Sequence, residues 1–217
     1  MTGTLHGPSA LPASGAAPQS IIVFLHGYGS NGDDLIGLAR EWRAALPHTF
    51  FAAPNAPQAC PGAPGGYQWW PLTSLAPEAR ASGVREAAAV LNAFIDDLLK
   101  RYRLPEDRLA LVGFSQGTMV ALHVGPRRES QLAGIVGYSG MLADAAALAA
   151  EVRTKPPVLL IHGEEDAVLP VAALKQADTA LSSIGFEVST QVSPRLGHSI
   201  DDAGLRCGGQ FLSRVLR

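Results

Sequence analysis

With 217 residues, 47% of them hydrophobic and 17% charged, the chain has the length for a sizeable core and a composition that argues against disorder. A net charge of −2 and a pI near 6.3 offer neither nucleic acid nor an anionic membrane surface a basic face. Two cysteines far apart in the chain, Cys60 and Cys207, argue against a disulfide framework or a metal-type cluster and fit a reducing, cytoplasmic setting.

In chain order, residues 1–19 are rich in Pro, Ala, Gly and Ser and read as an irregular N-terminal arm with room for a short edge strand. They carry no basic-then-apolar leader, and no stretch reaches the roughly 20 apolar residues of a membrane span. Ile21 to Leu25 is a continuous apolar run, the pattern of a strand buried on both faces. Asn31 to Leu46 reads as a helix, and Phe50 to Ala53 as a short strand. A Pro- and Gly-rich segment, 56–76, follows and contains Trp69 and Trp70; it reads as a loop or flap. Pro77 to Tyr102 has the best helical periodicity, with Val84, Ala88, Leu91, Ile95, Leu98 and Tyr102 along one stripe. Strands are expected at Leu109–Val112, Leu132–Tyr138, Val158–His162 and Glu187–Val192. Helices are expected at Thr118–Val124, Asp144–Val152, Pro170–Ile184 and Ser199–Arg217. Repeated strand–helix alternation without an internal repeat predicts one α/β domain over 1–217, its mostly parallel sheet flanked by helices on both faces, with ligands beyond the carboxyl ends of the strands.

One pentad stands in that context: Gly113-Phe114-Ser115-Gln116-Gly117, after an apolar strand and before a helix. Gly-x-Ser-x-Gly at a strand-to-helix turn is the nucleophile elbow, which holds a serine hydroxyl clear of the backbone for activation by a base. The glycines two before and two after the serine remove side chains from a crowded turn. The rival Ser139, in Gly137-Tyr138-Ser139-Gly140-Met141, lacks the second glycine.

The base must be a histidine late in the chain. His6 lies in the arm and His48 precedes a strand; His26 and His162 end strands as structural residues, and His123 points away along the elbow helix. His198, between the last strand and the last helix, remains. The orienting acid should follow the penultimate strand, where Glu164, Glu165 and Asp166 are adjacent. Asp166 is favoured, with Glu165 in reserve. Acyl transfer also needs two backbone N–H donors for an oxyanion. Gln116, next to the serine, supplies one; Tyr28, in the Gly-rich turn His26-Gly27-Tyr28-Gly29, supplies the other, with Gly27 in reserve.

These stretches, together with Leu25-His26-Gly27-Tyr28-Gly29, His162-Gly163-Glu164-Glu165-Asp166 and Gly197-His198, make residues 20–217 resemble the small carboxylesterases related to acyl-protein thioesterases and lysophospholipases. The resemblance implies an α/β-hydrolase fold with little or no cap, a Ser115–Asp166–His198 triad, Tyr28 and Gln116 as oxyanion donors, and no metal or other cofactor. Two residues depart from the family's habit: Tyr28, where a smaller aliphatic residue is common, and Thr118, where a second glycine is common. Both are expected to bear on pocket shape. Trp69 and Trp70 fall where the resemblance puts an acyl-pocket loop; one is expected to face substrate and the other to pack inward. Leu72 and Leu169 are candidate wall residues.

The function expected is hydrolysis of short- to medium-chain carboxylic esters through an acyl-enzyme on Ser115. Thioester or lysophospholipid hydrolysis is the alternative, and a non-catalytic binding module on the same fold a remote one. The partner is a small-molecule ester, with no nucleic acid and no integral membrane association; the oligomeric state is left open, a homodimer included.

Overall fold

The computed structural model describes residues 5–74 and 76–217. Residues 1–4 of the expected arm and Leu75 of the 56–76 segment lie outside the described residues. The strands are β1 (Ser9–Ala10), β2 (Ser20–Leu25), β3 (Thr49–Ala52), β4 (Gln58–Ala59), β5 (Tyr67–Gln68), β6 (Leu109–Phe114), β7 (Gly134–Tyr138), β8 (Val158–Gly163) and β9 (Val188–Ser193). The helices are α1 (Gly32–Ile36), α2 (Leu38–Trp42), α3 (Pro77–Tyr102), α4 (Gln116–Val124), α5 (Ala145–Glu151), α6 (Ala172–Ser183) and α7 (Asp202–Val215).

Seven strands form one sheet in the order β1-β3-β2-β6-β7-β8-β9. All neighbours are parallel except β1, which pairs antiparallel with β3 through Ser9 opposite Ala52. This is the α/β-hydrolase fold. The central strands are continuous apolar runs because both faces of the sheet are covered. Alternation along β2 makes the division plain. Ile21, Val23 and Leu25 enter one core with α3, α4 and α6, while Ile22 and Phe24 enter the other with α1, α2 and α7. The chain leaves β2 for β3 on one side and later returns as β6 on the other. The loops after β2 and β6 therefore flank a topological switch point, where crevices open in sheets of this kind.

Two elements differ from expectation. The helix predicted over Asn31–Leu46 is two short helices, α1 and α2, that meet at Gly37. Asn31 caps α1 by accepting the Asp34 N–H. The break lets Leu35 reach the core from one helix while Ala39 and Trp42 reach it from the other. The second difference is a small antiparallel hairpin, β4–β5, inside the segment read as a loop. It is tied to the turn after β2 by the Gly29 N–H donating to the Tyr67 carbonyl and the Tyr67 N–H donating to the Ser30 carbonyl.

One interior group sets an acid limit on the fold. His123 on α4 is 6% exposed. Its Nδ1 has no hydrogen-bond partner among the described residues. Burial, aided by the charges of Arg127 and Arg85 and opposed by Asp144 and Glu151, pushes its pKa down to about 4. The unfolded chain titrates this group near 6.5. Between those values the unfolded state binds a proton that the native state refuses, so stability falls as pH falls from about 6.5 to about 4. The loss is at most about 3 kcal/mol, because each tenfold difference in proton affinity between the two states is worth about 1.4 kcal/mol. His123→Leu should flatten the pH dependence of the urea midpoint across that window. An unchanged slope would assign the acid limit to other groups.

Candidate active site

The elbow is built from close approach. β6 ends at Phe114, Ser115 turns the chain, and α4 starts at Gln116. Ser115 has φ 54° and ψ −115°, a region that costs a non-glycine residue about 1–3 kcal/mol. A Cβ at Gly117 would overlap the Leu25 and His26 carbonyls, and one at Gly113 would overlap the backbone of Gly117 and Thr118. Gly117 is thus required where α4 seats against the end of β2, and Gly113 where it seats against β6. The turn is fastened by the Ser115 N–H, which donates to the Tyr138 carbonyl at 2.9 Å.

The acid and base sites sit on adjoining loops. Asp166 follows β8 and is buried, whereas Glu164 and Glu165 are exposed. Its Oδ1 accepts the N–H groups of Val168 (2.9 Å) and Leu169 (2.8 Å). Its Oδ2 lies 2.7 Å from His198 Nδ1. Burial alone would raise this carboxyl, but the bonds from Leu169, His198 and Val168 and the charge of a protonated His198 together hold it below the usual carboxylate range. A carboxylate only accepts, so Nδ1 carries the proton and His198 Nε2 is left bare in the neutral ring. The His198 loop comes close because residue 163 is glycine; a Cβ there would overlap the Leu196 and Gly197 carbonyls. The imidazole is tilted against the Phe114 ring, centroids 5.0 Å apart, which brings it beside the elbow. Among the described residues the Ser115 hydroxyl makes no hydrogen bond to His198.

The turn after β2 approaches from the other side. A Cβ at Gly27 would lie 3.3 Å from Ser115 Cβ. The backbone N–H groups of Tyr28 and Gln116 donate to no described residue. Gln116 occupies the first turn of α4, where backbone N–H groups have no partner within the helix.

Several residues do something other than expected. Trp69 and Trp70 are both in the core, 1% and 2% exposed, so neither faces the cleft. The Trp69 indole N–H finds its acceptor inward, at the His26 carbonyl, 2.9 Å away. The Trp70 ring lies over Gly83, where a Cβ would strike it. Thr118 is also interior. Its hydroxyl donates to the Tyr138 carbonyl at 2.9 Å, and its methyl fills space left by Gly137 and Gly140. The exposed apolar side chains here are Tyr28 (42%), Leu72 (38%) and Val168 (65%), and Leu169 is half-buried against the core. Ser139 has φ 46° and is buried, with no partner for its hydroxyl among the described residues.

The side-chain role of Gln116 was not foreseen, and His26 and His162, expected as structural residues at strand ends, have specific partners that the sequence did not name. The Gln116 side chain spans the Trp pair, with Oε1 accepting the Trp69 N–H and Nε2 donating to the Trp70 carbonyl, both at 2.9 Å. His162, at the end of β8, places Nε2 at 2.8 Å from the Leu169 carbonyl and 3.2 Å from Asp166 Oδ2. His26 holds the turn after β2 by two ring contacts. The available signal was the repeated His-Gly at two strand ends, which marks a buried ring beside a close backbone approach.

The family profile described as phospholipase/carboxylesterase matches residues 8–216. The chain belongs to the phospholipase/carboxylesterase family. Acyl-protein thioesterase 1 of Schizosaccharomyces pombe is 32% identical over 178 residues, 78% of each chain. Esterase YpfH of Escherichia coli is 27% identical over 192 residues, 87% of this chain and 79% of that one. The crystal structure of esterase PE8 superposes with a TM-score of 0.95 at 42% identity, over 99% of this chain and 100% of that one. The phospholipase/carboxylesterase family thus brings a hydrolase fold to a chain in which no described helix is long and apolar enough to cross a membrane.

Proposed function

We propose that the protein is a serine carboxylesterase that hydrolyses short- to medium-chain carboxylic esters through an acyl-enzyme on Ser115. The observation that carries the reading is the 2.7 Å contact between His198 Nδ1 and Asp166 Oδ2 beside an elbow serine at φ 54°. In this reading His198 Nε2 takes the Ser115 proton as the oxygen attacks the ester carbonyl. The N–H groups of Gln116 and Tyr28 receive the oxyanion, and Asp166 stabilises the imidazolium. The imidazolium then protonates the departing alcohol. A water, deprotonated by the same nitrogen, releases the acid and restores Ser115. The serine–histidine hydrogen bond of such sites is often long without substrate and tightens when it binds.

Leu72 and Leu169 are proposed to flank the acyl chain, with Trp69 and Trp70 supporting that wall from the core side. The relatives named acyl-protein thioesterase favour a second reading, with a thiol as the leaving group. The triad chemistry is the same for both, so the test varies acyl length and leaving group together. In a series of p-nitrophenyl esters and matched thioesters, kcat/KM should rise up to butyryl or hexanoyl, by about fourfold per methylene at about 0.8 kcal/mol each. It should then drop, and Leu72→Ala should move the optimum to longer chains. A preference for palmitoyl, or for thioesters at every length, would transfer the assignment to the thioesterase or lysophospholipase reading.

A further inference from the structure

We propose that the buried imidazole of His26 is a positioning residue that aims the Tyr28 N–H at the oxyanion; the inference rests on the acyl-transfer reading above. His26 is 0% exposed, and its protonation pattern follows from its neighbours. The Ala56 N–H donates to Nε2 at 2.9 Å. A backbone N–H can only donate, so Nε2 is bare and Nδ1 carries the proton. Nδ1 lies 2.8 Å from the Gly27 carbonyl oxygen and donates to it. The Ser30 N–H donates to the same oxygen at 3.2 Å.

That oxygen belongs to the peptide unit whose N–H is that of Tyr28. The unit is planar and, with no cis bonds in the described chain, trans, so its N–H points away from its C=O. Two donors on the oxygen fix the plane and draw electron density toward it, which strengthens the opposite N–H as a donor. The Tyr28 N–H itself meets no described acceptor, beside a Gly27 that packs against Ser115. The imidazole is held from behind as well: the His26 carbonyl accepts the Trp69 indole N–H at 2.9 Å, and the two rings lie 5.8 Å apart. Burial holds its pKa below the ordinary histidine value, so the ring stays neutral and keeps its acceptor toward Ala56.

Two substitutions separate aiming from filling. The amide nitrogen of Asn can occupy the place of Nδ1, and the end of a Gln side chain the place of Nε2. His26→Gln should keep the Ala56 contact and the melting temperature, while kcat falls about 30- to 100-fold with KM within about twofold. Outright loss of an oxyanion donor costs about 10²–10³-fold, and a misaimed one should fall at or below the lower end. His26→Asn should restore kcat to within about fivefold of wild type. The Tyr28 amide proton shift should move in His26→Gln and return in His26→Asn, and this NMR readout needs no activity. A His26→Gln enzyme with full kcat, equal losses in both variants, or an unmoved Tyr28 shift would overturn the inference. A wild-type protein that neither hydrolyses esters nor takes a fluorophosphonate on Ser115 would instead overturn the proposed function, with the Tyr28 shift still reporting on His26.

Discussion

Replacing Ser115 by alanine is expected to lower kcat by about 10⁴-fold or more and to abolish labelling by a fluorophosphonate, with the fold intact. The fold should survive because the Ser115 side chain makes no capping bond to α4. The strain at φ 54° is carried by the backbone, and alanine meets it as serine does. The glycines that allow the turn, Gly113 and Gly117, are untouched. An unaltered melting temperature beside lost labelling is therefore the expected pair of measurements. Full labelling of the variant, or a label on Ser139, would move the nucleophile elsewhere. Removing Asp166 and His198 as well should make the triple variant barely worse than Ser115→Ala, because the members of such a unit act together and their losses do not add.

Asp166→Asn should cost about 10³–10⁴-fold in kcat, for a reason visible in the contacts. Oδ1 accepts two backbone N–H groups, from Val168 and Leu169. An asparagine NH₂ cannot replace it there, so it must take the place of Oδ2. That position faces His198 Nδ1 at 2.7 Å and His162 Nε2 at 3.2 Å. The proton on His162 Nε2 is fixed by the Leu169 carbonyl 2.8 Å away. The amide would meet two donors, and the one free to yield is His198. Its ring would have to take the opposite tautomer, which puts the proton on Nε2 and removes the base. Glu165→Ala should leave kcat within about twofold of wild type, since the Glu165 side chain is exposed. The reverse ranking, Glu165 crippling and Asp166 mild, would displace Asp166 as the acid. The comparison is of kcat for the two variants against one good ester substrate, with melting temperatures recorded alongside.

The sheet was legible because burial on both faces leaves nothing but apolar residues in strands such as Ile21–Leu25 and Leu109–Val112. The break at Gly37 was not: helical periodicity runs through it, and only the tertiary demand that Leu35 and Trp42 reach one core divides the helix. The functional loops were legible where a backbone constraint forces a residue type, as at Gly113 and Gly117. The tryptophans were misjudged because composition places a loop without saying which way its rings turn. Trp69 turned inward because an indole N–H and a backbone N–H had partners there, the His26 carbonyl and Gln116 Oε1. The side chain of Gln116 and the Nε2 of His26 are directed at main-chain atoms 30 to 47 residues away, and such partners leave no spacing to read.

The grip of Gln116 on the Trp69–Trp70 segment has a consequence for how this scaffold can diversify. It holds an N–H and a C=O, groups that every non-proline residue at positions 69 and 70 would present alike. That backbone hold does not depend on which side chains stand there, whereas the two indoles, 1% and 2% exposed, are fixed by the core. Substitutions can therefore accumulate at exposed positions of the 56–76 segment, such as Leu72, while the serine turn and its neighbouring amide keep their register. Such changes would play out on a fixed chassis, with 116 beside Gly113 and Gly117 among the positions least free to vary.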